Sequence, residues 1–508
     1  MAARTFSQED QTLFAELSGD SNALHVSPLE ARRTLFGRQV VHGIHLLLWS
    51  LETLLKKPCR LTKLNVTFGR PVGVGETVSC QVVRADDKGM DIVLESRGAT
   101  CAWIRIEVTD EPQSSPFLSG TPPQPGPRVM EPADAGTAQG ELDLYYDEDR
   151  YGRLLGSREH QLPPGQIAFL LASTRLVGME CPGAHSIYSQ ISLTFQTSLL
   201  LAGPHPRSRS LAPSHSPGPQ ALADNERPVM KWRVETFNPR FGRVTMKVAA
   251  RGCSGTIIAF LRPHPQRQLS FQQARTRIPA ELFSGQTALV VGGSRGIGEA
   301  CAKILAAGGA RVYLTYHRGA TDAEAVVQDI RSGGAVATAF AFDVRQPSNL
   351  ATVFGDRLPS HVYYFPTPPV FVASKEHFSH DIFNLFYEIY VRGLLNTYGA
   401  LRAISTDEVD IYYPSSDAVT HIQNNMGEYA AAKAAGETVC RYLAVRDRKV
   451  KIRIDRLPRL PTDQTASVLG VPSNDPVEVL LQALTNTTST RLDAETGQIE
   501  APRTRPPA

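Results

Sequence analysis

The chain is 508 residues long, which at roughly 150 residues per domain points to about three domains rather than one. Hydrophobic residues make up 42% and charged residues 20%, an ordinary globular balance that excludes a wholly disordered chain. Lys and Arg number 53 against 50 Asp and Glu, a formal charge of +3, so the concentrated basic field of a nucleic-acid-binding protein is absent and no nucleic-acid partner is expected.

The seven cysteines are scattered without CxxC spacing, which argues against a disulfide framework and a zinc site, so no metal is expected and a reducing compartment fits. The N-terminus, MAARTFSQEDQ, has no apolar signal core, and no stretch reaches the roughly 18 apolar residues of a membrane span. The C-terminal RPPA differs from the peroxisomal address. A cytoplasmic protein with no membrane partner is expected.

In chain order, an apolar helical stretch over 40–55 comes first. Next, LTKLNVTFGRPVGVGETVSCQVVRADDKGMDIVLESRGATCAWIRIEV alternates apolar and polar residues between turns at GVGE, ADDKG and SRGA, the pattern of an antiparallel meander. PQSSPFLSGTPPQPGPR, from Pro112, is too rich in Pro, Gly and Ser to build a core and reads as a linker over 112–140. The plan then returns with the helix IAFLLASTRLVGM, the strand YSQISLTFQTSLLLAG, a second Pro/Gly/Ser-rich insertion from Ala202, and further strands from VMKWRVETF. LNVTF corresponds to ISLTF and TCAWIRIEV to SGTIIAFLR, an internal repeat of one helix wrapped by a curled sheet.

From Phe283, TALVV, a glycine turn, EACAKILAAGG, RVYLTY, DAEAVVQDIRSGG and AVATAFAFDV alternate strand and helix. That predicts an α/β, Rossmann-type doubly wound parallel sheet. The expected domains are 1–111, 141–270 and 283–490, with the linker between the first two and a tail over 491–508.

The segment 14–43 reads FAELSGDSNALHVSPLEARRTLFGRQVVHG. Asp20 and His25 are residue types that can work as an acid and base pair on a C2 proton and a C3 hydroxyl, although a helix cap and a core histidine account for the same two residues. With SGD, Asn22, Leu24-His25, Phe36-Gly37 and His42-Gly43 at these spacings, about the first hundred residues resemble the (R)-specific enoyl-CoA hydratases, MaoC-like proteins of hot-dog fold. The resemblance implies that Asp20 and His25 act across the C2–C3 bond of an acyl thioester and that Asn22 helps orient the site. It also implies that Gly43 offers its backbone N–H to the thioester oxygen, where a fixed donor stabilises a developing enolate.

Ala23 and Ser27 replace the family's usual proline and aspartate, and neither change removes a chemical group from that step. The second repeat has no matching SGDxN…H, and its His185 reads as a helix-end histidine. This is similar to double hot-dog hydratases, in which a degenerate repeat shapes the acyl tunnel. An α+β double hot-dog forming an internal dimer is therefore expected.

The turn VVGGSRGIGEA places Gly292, Ser294, Arg295, Gly296, Ile297 and Gly298 between a strand and a helix, where backbone amides and the helix dipole can receive a pyrophosphate. Tyr429 and Lys433, in EYAAAKAAGE, share a helix face, and Ser416 follows the strand VDIYY. With Asp343-Val344, these features over about 283–464 resemble the short-chain dehydrogenase/reductase family. By that resemblance Tyr429 is the general acid for ketone reduction, Ser416 holds the carbonyl, and Lys433 binds the cofactor ribose, while Asp343 and Val344 line the cofactor. A nearby ammonium is expected to lower the phenol from its free value of about 10.

The second strand ends in Thr315-Tyr316-His317-Arg318, where an NAD-type domain presents a carboxylate to the ribose. Arg318 and Arg295 therefore predict NADP(H), the alternative being two solvated surface arginines. Three departures stand out: Tyr363-Tyr364-Phe365-Pro366-Thr367-Pro368-Pro369 replaces the family's NNAG segment, Tyr390 takes the place of its relay asparagine, and Pro458-Arg459 replaces a Pro-Gly. A proline lacks the N–H such a loop would use.

The expected protein reduces a 3-oxoacyl thioester with NADPH and dehydrates the (R)-3-hydroxyacyl product, or hydrates the enoyl, the acyl group being carried on coenzyme A or acyl carrier protein. The same modules in reversed order resemble the peroxisomal multifunctional enzyme, and the families suggest a homodimer. The alternative keeps only the hydratase/dehydratase, with the reductase half as a non-catalytic NADP-binding or assembly module; a wholly non-catalytic acyl-binding protein is a third reading.

Overall fold

The computed structural model describes residues 2–110, 116–156, 160–196, 227–346, 350–354, 357–370, 377–466 and 474–485. The insertion from Ala202 and the tail over 491–508 lie outside the described residues. The chain forms two compact units, Met1–Pro28 with Gln39–Pro263, and Leu29–Arg38 with His264–Ala508.

The first unit contains strands β1 (Ala2–Thr5), β2 (Arg60–Phe68), β3 (Thr77–Asp86), β4 (Gly89–Ser96), β5 (Ala99–Thr109), β6 (Leu118–Ser119), β7 (Gln139–Asp143), β8 (Tyr145–Tyr146), β9 (Ser186–Phe195), β10 (Val229–Asn238), β11 (Arg243–Ala250) and β12 (Cys253–Leu261). All but β6 and β8 join one ten-stranded sheet in the order β1-β3-β4-β5-β2-β9-β12-β11-β10-β7. Period-two alternation turns Ala102, Ile104 and Ile106 of β5 into the core and leaves Trp103 exposed. The motifs LNVTF and ISLTF meet at the middle of the sheet, with Leu64 opposite Leu193 and Val66 opposite Ile191. β5 and β12, which carry the second pair of corresponding motifs, flank that joint.

Each half carries one apolar helix. Gly43–Leu54 buries Ile44 to Leu51, and Pro164–Arg175 buries every residue after its opening proline, as expected of helices packed on all sides. The stretch expected as a linker is fastened down where it is described: Arg128 N–H donates to Met179 O at 2.8 Å, and Ala184 N–H donates to Arg128 O at 2.9 Å. Met130 beside it is buried. Apart from the two-residue pairing of β6 with β8 and the start of β7, its prolines leave few N–H donors, so isolated hydrogen bonds hold the rest.

The second unit has strands β13 (Thr287–Val291), β14 (Arg311–Tyr316), β15 (Ala337–Ala341), β16 (His361–Tyr364), β17 (Val409–Ser416) and β18 (Val450–Leu457). They form a parallel sheet in the order β15-β14-β13-β16-β17-β18. This doubly wound order reverses direction between β13 and β16, which places a ligand crevice at their carboxyl ends. The unit starts ahead of residue 283. A Ser270/Gln273 capping box opens helix Phe271–Arg277, which sends Phe271 and Ala274 into the core. Among the described residues no helix is long and apolar enough to cross a membrane.

Candidate active sites

In the first unit, helix Gln8–Ser18 ends at Gly19 in a left-handed conformation and delivers the chain to Asp20. Asp20 is buried; its Oδ2 accepts from Thr174 Oγ1 at 2.7 Å and its Oδ1 from Asn22 N–H at 3.3 Å. Burial raises the Asp20 carboxyl above the usual carboxylate range, with His25 and the Thr174 hydrogen bond opposing. His25 Nδ1 lies 2.8 Å from Val40 O. A carbonyl only accepts, so Nδ1 carries the proton and Nε2 is the basic nitrogen of the neutral ring. Burial lowers the His25 imidazole while Asp20 opposes. The ligand-type atoms of Asp20, His25 and His42 all lie within 4.8 Å of one another, so the two expected residues are brought together.

His42 adds to the set. Its ring stacks on that of His25 with centroids 3.8 Å apart, and its Nε2 is 3.0 Å from Asp20 O. Burial pushes its imidazole well below the usual range. Asn22 fastens the loop: its Nδ2 donates to Gly178 O at 2.9 Å and Gly183 O at 3.2 Å. Gly43 is the first residue of its helix, so its N–H has no partner inside that helix. A Cβ at Gly43 would stand 3.0 Å from the Phe68 ring.

Sequence reasoning missed the second half's contribution. Thr174 holds Asp20, and a Cβ on Gly178 would fall 2.1 Å from Asp20 Oδ1. Arg262 donates to Ser186 O and Ala184 O, both at 3.1 Å, bracing the loop that Asn22 also grips. No spacing rule links residues more than 150 positions apart. His42 was within the motif, and its HG pair was the one available signal. His185, read as a helix-end residue, sits in the turn before β9, where its carbonyl accepts from Arg262 N–H.

In the second unit a cavity of about 980 Å³ opens at the carboxyl ends of the strands. Gly292, Ser294, Arg295, Gly296, Ile297 and Gly298 line it. Arg318, Asp343, Val344, Ser416, Tyr429 and Lys433 line it too. The glycines are required by close approach: a Cβ at Gly298 would lie 2.3 Å from Gly292 O, and Gly292, at φ 75°, would meet Pro366 N at 2.9 Å. Hydrogen bonds from Arg345 hold the Asp343 carboxyl down to about 2.

Burial raises the Tyr429 phenol, with Ser416 opposing. The lowering expected from a neighbouring ammonium is not found. Lys433 Nζ donates to Pro414 O at 2.7 Å and lies 4.1 Å from the centre of the Tyr390 ring. Burial brings its own ionisation down to about 7. Tyr390, at the expected relay position, is buried with its hydroxyl 2.6 Å from Thr367 Oγ1.

The replaced segment is shorter than it reads in sequence. Tyr363 and Tyr364 are buried strand residues of β16, bonded to Gln286 Oε1 and Ile389 O. The cavity wall begins at Phe365 and runs through Pro366 to Val370, with Pro458 and Arg459 also lining the space.

A buried carboxylate beside two imidazoles and a glycine-lined crevice at the carboxyl ends of a doubly wound sheet are the two candidate sites of the chain. Residues 1–99 match the MaoC like domain family, and residues 291–488 match the enoyl-(acyl carrier protein) reductase family. The chain carries a MaoC-like domain at its N-terminus and a short-chain dehydrogenase/reductase domain at its C-terminus. A short chain dehydrogenase/reductase of Cryptosporiopsis sp. is 44% identical over 81 residues, 16% of this chain and 30% of that protein. The 3-hydroxybutyryl-CoA dehydratase of Methylorubrum extorquens is 33% identical over 87 residues, 16% of this chain and 55% of that protein. The chain thus spans less than two thirds of either relative. A short chain dehydrogenase of Burkholderia cenocepacia, crystallised with NADP, is 27% identical, with 40% of this chain and 90% of that one covered and a TM-score of 0.36.

Proposed function

We propose that the chain is a bifunctional acyl-thioester enzyme: the C-terminal domain reduces a 3-oxoacyl group, and the N-terminal domain dehydrates the (R)-3-hydroxyacyl product or hydrates the enoyl thioester. The observation that carries this reading is the presence of both acid and base sets. Asp20 lies beside His25, and Ser416, Tyr429 and Lys433 line the same cavity as the glycine turn. In this reading the ten-stranded sheet is a double hot-dog whose second half buttresses the catalytic loop of the first.

The dehydratase chemistry follows from the environments of the two groups. Burial raises Asp20 and lowers His25, which brings their proton affinities together. One can then accept the C2 proton while the other donates to the departing C3 hydroxyl. The Gly43 N–H, at the positive end of its helix, suits the thioester oxygen on which negative charge grows.

In the other domain the glycine turn, Arg295 and Arg318 would hold NADP(H). The buried Arg295 Nη1, which has no hydrogen-bond partner among the described residues, fits an anionic cofactor group. When bound, NADPH supplies hydride to the ketone carbon. Tyr429 keeps its proton through burial and delivers it to the ketone oxygen, and Ser416 holds that oxygen.

The test mixes protein, 3-oxoacyl thioester on coenzyme A or acyl carrier protein, and NADPH, following cofactor absorbance and product mass. Oxidation of NADPH with an enoyl product is the expected result. His25→Ala should cost about 10²-fold or more in dehydration, and full activity in that variant would remove the site assignment. A second reading, a reductase half that binds without turnover, is favoured by Pro366 to Pro369 in the cavity wall and by Tyr390 over Lys433. Unchanged flux from 3-oxoacyl substrate in Tyr429→Phe would establish it.

A further inference from the structure

The cavity of the second unit has a wall that no motif assigned to it. Leu29–Arg38 belongs to this unit and brings Arg32, Gly37 and Arg38 into the cavity lining. Arg32 Nη2 donates to Asp322 Oδ2 at 2.9 Å, and Arg33 pairs with the other oxygen of the same carboxylate. Arg295 Nη2 donates to Arg32 O at 3.0 Å and lies 3.5 Å from Asp463 Oδ2. Gly319 makes room for this arrangement, since a Cβ there would stand 2.7 Å from Arg32 Nη2.

Two donors are left over. Arg32 Nε and Arg295 Nη1 are both buried with no hydrogen-bond partner among the described residues. A buried guanidinium N–H without an acceptor is costly, so the pair points to an absent acceptor. Arg32, Arg295 and Arg318 line the same cavity, Arg33 shares the Asp322 carboxylate with Arg32, and burial together with the repulsion of Arg295, Arg33 and Arg318 pushes the Arg32 guanidinium down. Against them stand Asp322 and Asp463, with Glu30 3.8 Å from Arg33, so the cluster keeps a net positive charge. A phosphomonoester carries roughly −1.5 to −2 at neutral pH, the sign of charge such a cluster attracts. Arg318 follows the end of β14, the strand end where a doubly wound sheet holds the adenosine ribose.

We propose that Arg32 binds the adenosine 2′-phosphate of the dinucleotide, making a residue from the sequence between His25 and Gly43 a determinant of cofactor choice in the reductase-type cavity. The proposal rests on the NADP(H) reading. It also explains how Asp322 is tolerated: an unpaired carboxylate there would repel the phosphate, and Arg32 and Arg33 neutralise it.

The full-length protein, Arg32→Gln and Arg32→Gln/Asp322→Asn are titrated with NADPH and NADH by nicotinamide fluorescence and with 2′,5′-ADP by calorimetry. Dehydration of a 3-hydroxyacyl thioester serves as the check that each variant is folded. Arg32→Gln should weaken NADPH and 2′,5′-ADP about tenfold or more and leave NADH binding unchanged or tighter. The double variant should remain weak toward 2′,5′-ADP. Wild-type affinity for 2′,5′-ADP in the double variant overturns the proposal, because Arg32 would then act only by masking Asp322. A wild-type NADPH preference that survives in Arg32→Gln also overturns it, while the NADP(H) reading stands. If the unaltered protein prefers NADH or binds neither dinucleotide, the NADP(H) reading itself fails and the proposal with it.

Discussion

Lys433 is legible in sequence as the last member of YxxxK, but its surroundings are not. Burial lowers it from an ordinary 10.5 to about 7. Between those values the unfolded chain holds a proton that the folded chain has released, so this group makes stability rise with pH across the window; below about pH 7 both states are protonated and the slope vanishes. Lys433→Met should flatten the rise in Tm between about pH 7 and 10, measured by thermal unfolding across that range. Asp20 has the opposite sign: its raised carboxyl binds a proton more tightly in the folded state, so its contribution falls as pH rises from 3.8 through the folded value. Asp20→Asn should cost orders of magnitude in dehydration, about 10²-fold or more, without lowering Tm at neutral pH. A drop in Tm alongside the lost activity would assign Asp20 a structural role.

At the scale of elements, the loop that carries Asp20 in the first half is held by helical residues of the second. Thr174 lies on helix Pro164–Arg175 and Gly178 in the π-helical segment Leu176–Glu180 that continues it, and both meet Asp20. Thr174→Val deletes a hydrogen bond to a buried carboxylate, a loss of about 1–3 kcal/mol, so the acidic limb of the dehydration pH profile should move upward. Gly178→Ala inserts a methyl group at 2.1 Å from Asp20 Oδ1 and should abolish dehydration while leaving NADPH oxidation intact. Steady-state assays of both half-reactions check each variant. The repeat itself was readable because apolar alternation marks strands and LNVTF corresponds to ISLTF. That the second half grips the Asp20 carboxyl was not, since its residues carry no chemical motif of their own.

At the scale of the whole molecule, each chemistry has its own residue set, so losses should separate. Asp20→Asn should stop at the 3-hydroxyacyl thioester with NADPH still consumed, and Tyr429→Phe should stop NADPH consumption while added 3-hydroxyacyl thioester is still dehydrated. Product mass and cofactor absorbance, read together, decide between this outcome and a shared site. The local signals of the chain were sufficient for the two module types, the Asp20/His25 pair, the glycine turn and the Ser416, Tyr429 and Lys433 set, because short spacings and strand or helix periods carry that information. Only the tertiary structure brought Thr174, Gly178 and Arg262 to the first site, turned Lys433 toward Pro414 and Tyr390, placed Tyr363 and Tyr364 in the core, and counted Arg32 with the second unit. The physical reason is common to all of these: burial and close approach between residues far apart in sequence depend on packing, and packing leaves no periodic trace in the chain.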